Sequence, residues 1–343
     1  MSDLYIQRSN YYLSLSEQRI IIKNDNKEIV KEVSISLVDN VLLFGNAQLT
    51  TQLIKALSKN KVNVYYFSNV GQFISSIETH RQDEFQKQEV QAKAYFEEDF
   101  RLEVARSIAT TKVRHQIALL REFDTDGLLD ILDYSRFEDS VNDIQKAYSI
   151  TEIMGYEGRL AKSYFYYLNL LVPDDFHFNG RSRRPAEDCF NSALNFGYSI
   201  LYSCFMGLIK KNGLSLGFGV IHKHHQHHAT LASDLMEEWR PIIVDNTLME
   251  LIQNGKLLLS HFENKDQDFI LNDEGREIFA RALRSRILEV HQYIELDKKR
   301  YSFLYTADKM YAAMKYVVVL EMVGVVALWL FYLAIKGKQN IEK

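Results

Sequence analysis

From Leu4 to about Ile77 the apolar positions come in short runs. YYLSL, RIIIK and EVSISLV are rich in β-branched and aromatic residues and are broken by the polar stretches NDN and VDN, a pattern of short strands. Leu49, Leu53, Ile54 and Leu57 change to helical spacing, and NVYYFS returns to a strand before Gly71. The pattern predicts a small β-rich domain carrying one helix.

Beyond Glu78 the period lengthens. ETHRQDEFQKQEVQAKAY is polar and helix-prone, and no strand pattern recurs over a long distance. Leu102, Ala105, Ala109, Val113, Ile117 and Leu120 make an amphipathic stripe, and Val141 to Leu171 reads as one or two further helices. The domain boundary is expected between residues 78 and 95. The expected class is α+β, with a β-rich domain over 1–85 and a larger all-α domain over 86–343.

Within that second part, DDFHFNGRSRRPAE is a loop with a turn at Asn179-Gly180, and Pro185 followed by Glu187 and Asp188 marks a helix start. A helix is expected from about Leu231. NTLMELIQNGKLLLSHFE continues as helix with Asn254-Gly255 as a stop, and LNDEGREIFARALRSRILEVHQYIEL adds another. Its Arg276, Arg281, Arg284 and Arg286 are expected on a solvated face, paired with the intervening acids. Tyr316 to Ile335 carries one charge, Glu321. Its length is near the roughly 20 residues that cross a bilayer, but the uninterrupted run from Met322 is shorter and Glu321 is costly in lipid. A core helix or an aberrant tail is expected there ahead of a membrane anchor.

Composition adds bounds. The 343 residues exceed the usual single-core size, and 47% hydrophobic with 25% charged residues and three prolines describes an ordinary globular chain. A net charge of −4 excludes a strongly basic nucleic-acid binder, so any contact with nucleic acid must be local. Cys189 and Cys204 form neither a disulfide framework nor metal-type spacing, which makes a reducing compartment the default. MSDLYIQRSNYYLSL has no signal-peptide succession, so a cytoplasmic location is expected.

The candidate chemistry lies in GFGVIHKHHQHHATLASDLMEEWRPIIVD, residues 217–245, where five histidines occupy seven residues. On the following helix Leu235 and Trp239 fall to one side, and Asp234, Glu237 and Glu238 to the other. Imidazole with carboxylate suits manganese, magnesium, iron or zinc, and no thiolate nearby argues for a closed structural zinc site. The bland alternative is a solvated acidic face after a polar loop. Glu157 falls in the middle of an inward face of Ile150, Ile153, Met154, Ala161, Tyr164, Phe165 and Leu168. A buried carboxylate there needs a cation, a donor or a proton, supplied by a metal or by a salt bridge to Arg159 or Lys162. Arg181, Arg183 and Arg184, just ahead of the expected helix start, make a phosphate clamp, or else a solvated loop paired with Asp174 and Asp175.

GYEGRLAKSYF, RSRRPAEDCFNSALNFGY and GVIH to SDLMEEWRPIIVD resemble the helical domain of the CRISPR-associated integrase that inserts new spacers, the adaptation nuclease family. VLLFGNAQLTTQLIKALSKNKVNVYYFSNVGQFI resembles its β-domain, so the likeness covers about residues 4 to 315 in order. The resemblance implies a dimerising β-rich domain and a helical domain that holds Mg²⁺ or Mn²⁺. Glu157 matches the glutamate of the G-x-E-G motif, His222 the loop histidine and Glu237 the acid of D-L-M-E, the implied metal ligands and catalytic residues, with Asp234 in support. His224, His225, His227 and His228 match no ligand. The implied activity is metal-dependent joining of a DNA 3′-hydroxyl to a repeat, with Arg159, Lys162, Arg181, Arg183 and Arg184 on the DNA backbone. The implied partners are DNA, a second copy of the chain, and a small ferredoxin-like CRISPR adaptation subunit bridging two dimers. The apolar tail departs from that family's basic terminal helix. Two other readings compete: a zinc hydrolase using His222, His224 or His228 with Glu237 as base, and a non-catalytic DNA-binding scaffold.

Overall fold

The computed structural model describes residues 2–291, apart from 7–9, 68–72, 80–83, 130, 225 and 227, together with 301–303, 306 and 307. The stretch 316–335 lies outside the described residues.

The chain opens with β1 (Ser2–Ile6), β2 (Tyr12–Ser16), β3 (Arg19–Lys23), β4 (Ile29–Ser34), β5 (Val38–Phe44), β6 (Gln48–Leu49), helix α1 (Thr51–Lys59), β7 (Asn63–Phe67) and β8 (Phe73–Ile77). They form two four-stranded sheets, ordered β1-β5-β7-β8 and β4-β3-β2-β6. Strand β5 pairs in parallel with both β1 and β7. A strand so flanked is buried on both faces, which is why VLLF at 41–44 reads as one apolar run. The two-residue period then divides it. Val41 and Leu43 join a core with Leu13, Ile20, Leu53 and Leu57, whereas Leu42 and Phe44, with Tyr65 of β7, face the helical core.

The helical part comprises α2 (Glu84–Phe96), α3 (Glu98–Phe123), α4 (Ile131–Lys146), α5 (Ile150–Leu170), α6 (Cys189–Lys211), α7 (Thr230–Met236) and α8 (Asn246–Gln253). A hairpin, β9 (Phe262–Lys265) and β10 (Asp268–Leu271), precedes α9 (Asp273–Leu288). The expected stripe on α3 is buried from Ala105 to Leu120, with Leu102 packed against the same core. Helix α5 starts where the Ser149 side chain accepts from Glu152 N at 3.2 Å, and it buries Ile153, Leu160, Tyr164, Tyr167 and Leu168. Met154, expected on that inward face, is exposed, because it stands one residue past the stripe. Arg281 lies on the solvated face and pairs with Glu277 as expected, whereas Arg276 and Arg286 are largely buried, Arg276 with Asp273 and Arg286 with Glu250 of α8, because α9 packs against α8 and β10.

Helix α6 is apolar through most of its length and lies at the centre of the helical core, with Phe190, Leu194, Leu201 and Phe205 fully enclosed. It is the one described helix long and apolar enough to cross a membrane, and its window is mostly buried inside the protein. It starts at Cys189, later than Pro185 suggested, with Asp188 as the cap accepting from Asn191 N at 2.6 Å. The residues before it are held elsewhere: Ala186 N donates to Asp268 Oδ1 at 2.8 Å, and Phe269 N donates to Ala186 O. Gly197 lets the next segment approach, since a Cβ there would lie 2.5 Å from Val244 Cγ1.

Two local features differ from the sequence pattern. Asn254-Gly255 stops α8 as expected, with Gly255 at φ +60, but KLLLSHFE does not resume as helix: a 3₁₀ turn at Leu259–His261 leads into the β9–β10 hairpin. The hairpin turns at Asp266 and Gln267, both at positive φ, which a tight two-residue connection requires. The second is the acidic helix. After α7 the chain tightens into a 3₁₀ turn at Glu237–Trp239, widens into a π-helical stretch at Arg240–Asp245, and resumes as α8. It packs against both α3 and α6, so Asp234, Glu237, Glu238 and Asp245 are all buried and do not form the solvated acidic face.

Candidate metal centre

Glu157 lies on the stripe that runs from Ile153 to Tyr164, so the α5 backbone aims its carboxylate toward α3. There Lys112 Nζ donates a very short hydrogen bond to Glu157 Oε1, and the same ammonium donates to Glu237 Oε2 at 2.7 Å. Two acids 80 residues apart in sequence thus share one cation. The partner is neither Arg159 nor Lys162, which are exposed on α5, with Arg159 4.9 Å from the Tyr156 ring centroid.

Glu237 has a second cation, Arg240 Nη2 at 3.0 Å from its Oε1. Burial pushes the Glu237 carboxyl up, but Arg240 and Lys112 outweigh it and hold the group well below the usual carboxylate range. Burial likewise lowers Lys112, and Glu237 with Glu157 more than restores it, so the ammonium stays charged. The next residue, Glu238, has no such help: burial raises its carboxyl to about 8.

Asp234 organises the histidine loop. Its Oδ2 accepts from Val220 N at 2.5 Å and Ile221 N at 2.8 Å, and its Oδ1 accepts from His222 N at 3.3 Å. His222 Nδ1 lies 2.5 Å from the same Oδ1. Since Asp234 acts as an acceptor throughout, the imidazole donates from Nδ1, and the neutral ring keeps its Nε2 lone pair for a ligand. The hydrogen bond to Asp234 raises the His222 pKa, burial opposes it, and Asp234, Glu237 and Glu157 add to the rise. His222 therefore stands within electrostatic reach of both glutamates. Gly219 makes this packing possible, because a Cβ there would lie 2.4 Å from Thr230 Cγ2 and 2.8 Å from Asp234 Oδ2.

The structure brings Glu157 and Glu237 together and ties His222 to Asp234. Among the described residues, no three His, Cys, Asp or Glu side chains converge on one point closely enough to hold an ion. Two observations nonetheless fit a divalent ion: a cation already lies between the two carboxylates, and the nearby imidazole is fixed with Nε2 as its spare ligand atom. Two carboxylates and one imidazole are a donor set for Mg²⁺, Mn²⁺ or Zn²⁺. Of the other histidines, His228 bonds Ser233 at 2.7 Å and stacks on Tyr202, while His225 and His227 lie outside the described residues.

Next to this centre runs a cleft of about 630 Å³ lined by Arg181, Arg183, Arg184, Arg240 and Arg276, with Asp268 as its one acid. Arg183 and Arg184 are exposed. Arg181 is held by Asn191 Oδ1 at 2.8 Å and Asn195 Oδ1 at 2.6 Å, so it shapes the loop as well as charging it. It is the Asp188 cap, not Pro185, that begins α6, which places the arginines on the cleft wall and not at a helix N-terminus. Tyr198 lies between two guanidinium groups, Arg240 at 4.5 Å and Arg181 at 5.3 Å from its ring centroid, and donates to Asp245 Oδ1 at 2.7 Å. Tyr164 donates to Asp245 Oδ2 at 2.7 Å. Arg159 and Lys162 do not line this cleft. Lys112, Arg240, Tyr198 and Asp245 are the residues that sequence reasoning missed; Arg240 and Asp245 lie inside the motif already singled out, whereas nothing local marks Lys112.

A family profile described as CRISPR associated protein Cas1 matches residues 4–285. A CRISPR-associated endonuclease Cas1 of Mycobacterium tuberculosis is 33% identical over 311 residues, covering 90% of this chain and 91% of the relative. The fold is similar to that of a casposase bound to integration product, with TM-score 0.81 and 22% identity over 94% of this chain and 92% of the other. It is similar also to a chain of a Cas6-RT-Cas1–Cas2 complex, with TM-score 0.80 and 23% identity over 93% of this chain and 35% of that one. The extent of the profile match, the identity to the mycobacterial relative and the shared fold agree, and the chain belongs to the Cas1 family of CRISPR-associated proteins.

Proposed function

We propose that this chain is a divalent-metal-dependent DNA endonuclease and integrase of CRISPR adaptation, which joins the 3′-hydroxyl of a DNA fragment to the edge of a repeat by transesterification. One observation carries the reading: Glu157 and Glu237, from separate elements, share a single cation beside an imidazole that Asp234 holds in place. Glu157, Glu237 and His222 Nε2 would hold Mg²⁺ or Mn²⁺. When bound, the ion would neutralise charge developing on the scissile phosphate and lower the pKa of the attacking hydroxyl.

The remaining work falls to the chain itself. Arg183 and Arg184 hold backbone phosphate through charge, an affinity that falls with salt. Arg240 pairs with Glu237 of the centre and also lines the cleft, where its guanidinium adds positive charge for a phosphate oxygen. Tyr198 and Glu237 fix the plane of that guanidinium. Arg159 and Lys162, exposed on α5, would contact more distant phosphates. Nicking is the same displacement with water as nucleophile.

The proposed assembly is a homodimer formed through the β-rich domain, residues 1–85, with two dimers bridged by the small ferredoxin-like CRISPR adaptation subunit. In its favour, β4 is an edge strand that exposes Ile29 and Val30. The test is an integration assay with a labelled fragment, a repeat-containing plasmid, Mn²⁺ or Mg²⁺ and the bridging subunit. Glu157→Ala and His222→Ala should each abolish joining while folding and dimerisation persist. Full activity in either variant refutes the assignment.

A further inference from the structure

Resting on the reading that Glu157 and Glu237 hold a divalent ion, we propose that Lys112 is a resident cation of that centre: its ammonium occupies the seat between the two carboxylates, and metal must displace it. The geometry is specific. Lys112 comes from α3, Glu157 from α5 and Glu237 from the 3₁₀ turn after α7, and the ammonium is the only described group that bonds both carboxylates. All three side chains are largely buried, at 14%, 16% and 10% exposure. Two carboxylates brought together in that setting repel strongly when no cation intervenes, so Lys112 offsets their repulsion and stabilises the metal-free centre.

The same arrangement sets a cost on metal binding. Counting Lys112 and Arg240 against Glu157 and Glu237, the four groups are already neutral. A divalent ion entering beside an undisplaced ammonium would face a like charge at close range, so the ammonium must swing out on its four-carbon stem. Arg240 cannot substitute for this role, since it meets the other oxygen of Glu237 and its ring-stacked guanidinium is held by Tyr198. Lys112 therefore lowers the apparent metal affinity and stabilises the empty site. A lysine with a purely structural role would do the second only.

Mn²⁺ binding to the full-length protein, measured by titration calorimetry at neutral pH, tests this. Lys112→Gln keeps the length and a donor but removes the charge. It should bind Mn²⁺ roughly tenfold more tightly than wild type, as expected when a competing unit charge leaves a partly buried site, and should melt at lower temperature in EDTA with the difference recovered in Mn²⁺. Unchanged or weaker Mn²⁺ binding in that variant overturns the proposal. The wild-type protein supplies a second readout that does not depend on the variant folding. Acylation of Lys112 by an N-hydroxysuccinimide ester, read by peptide mass spectrometry against exposed Lys162, should rise when Mn²⁺ is added; the same labelling with and without Mn²⁺ overturns it. If wild type binds no Mn²⁺ at all, the metal reading itself fails, a result distinct from binding that ignores Lys112.

Discussion

Replacing Asp234 by Asn changes the histidine loop at one atom. The aspartate accepts four hydrogen bonds, from Val220 N, Ile221 N, His222 N and His222 Nδ1. An amide offers one oxygen, so one pair of donors must lose its acceptor. If the oxygen stays on Val220 and Ile221, the new NH₂ faces His222, whose Nδ1 then has to accept, and the ring proton moves to Nε2. The lone pair proposed to bind metal is lost. Bonds to a charged acceptor contribute about 1.5–3 kcal/mol each and a stranded buried donor costs about 1–3 kcal/mol, so Asp234→Asn should lose about 2–4 kcal/mol of stability. Loss of such an orienting carboxylate weakens metal binding by about 10–100-fold. Urea unfolding and Mn²⁺ calorimetry read the two effects separately. A variant destabilised as expected yet binding Mn²⁺ like wild type would refute the claim that Asp234 sets the His222 tautomer.

Three further outcomes are expected. Glu238 is a buried acid whose carboxyl is raised from 4.5 to about 8, so its contribution is fully present below pH about 4.5 and is lost as pH rises through 8. At about 1.4 kcal/mol per pH unit the ceiling is on the order of 5 kcal/mol, and Glu238→Gln should flatten the decline in stability across that window in pH-dependent unfolding. Arg183→Ala with Arg184→Ala should leave the melting temperature unchanged, weaken DNA binding, and reduce the slope of log affinity against log salt by roughly one for each phosphate no longer neutralised. Arg181→Ala should instead lower stability by about 1–3 kcal/mol in urea unfolding, because it removes the donor to Asn195 Oδ1 and one of the two donors to Asn191 Oδ1 on α6.

The position of Glu157 was legible in the sequence because a helix repeats every 3.6 residues, and an acid on the 153–160–164 stripe has to point inward. The choice of His222 among five came from family resemblance, and the structure adds a physical reason in its bond to Asp234. Lys112 was not legible. Its role comes from α3 packing against α5 and the 3₁₀ turn, and a lysine on a long polar helix gives no local hint of two distant acids. The acidic segment misled for a related reason: a helical wheel places Asp234, Glu237 and Glu238 opposite Leu235, but cannot tell that α3 and α6 enclose both sides. The Asp266-Gln267 hairpin lacks the glycine that usually announces such a turn, which is why no turn or strand was read between the two helical segments. The long-range pairing of β5 was foreshadowed only as an apolar run, since parallel strands leave no turn signal between partners.

Anomalous diffraction at the manganese edge, from crystals of the protein grown with Mn²⁺, tests the central claim most directly. One strong peak is expected, bonded to Glu157, Glu237 and His222 Nε2, with the Lys112 ammonium moved from between the carboxylates. A peak elsewhere, or Mn²⁺ bound without His222, would contradict it.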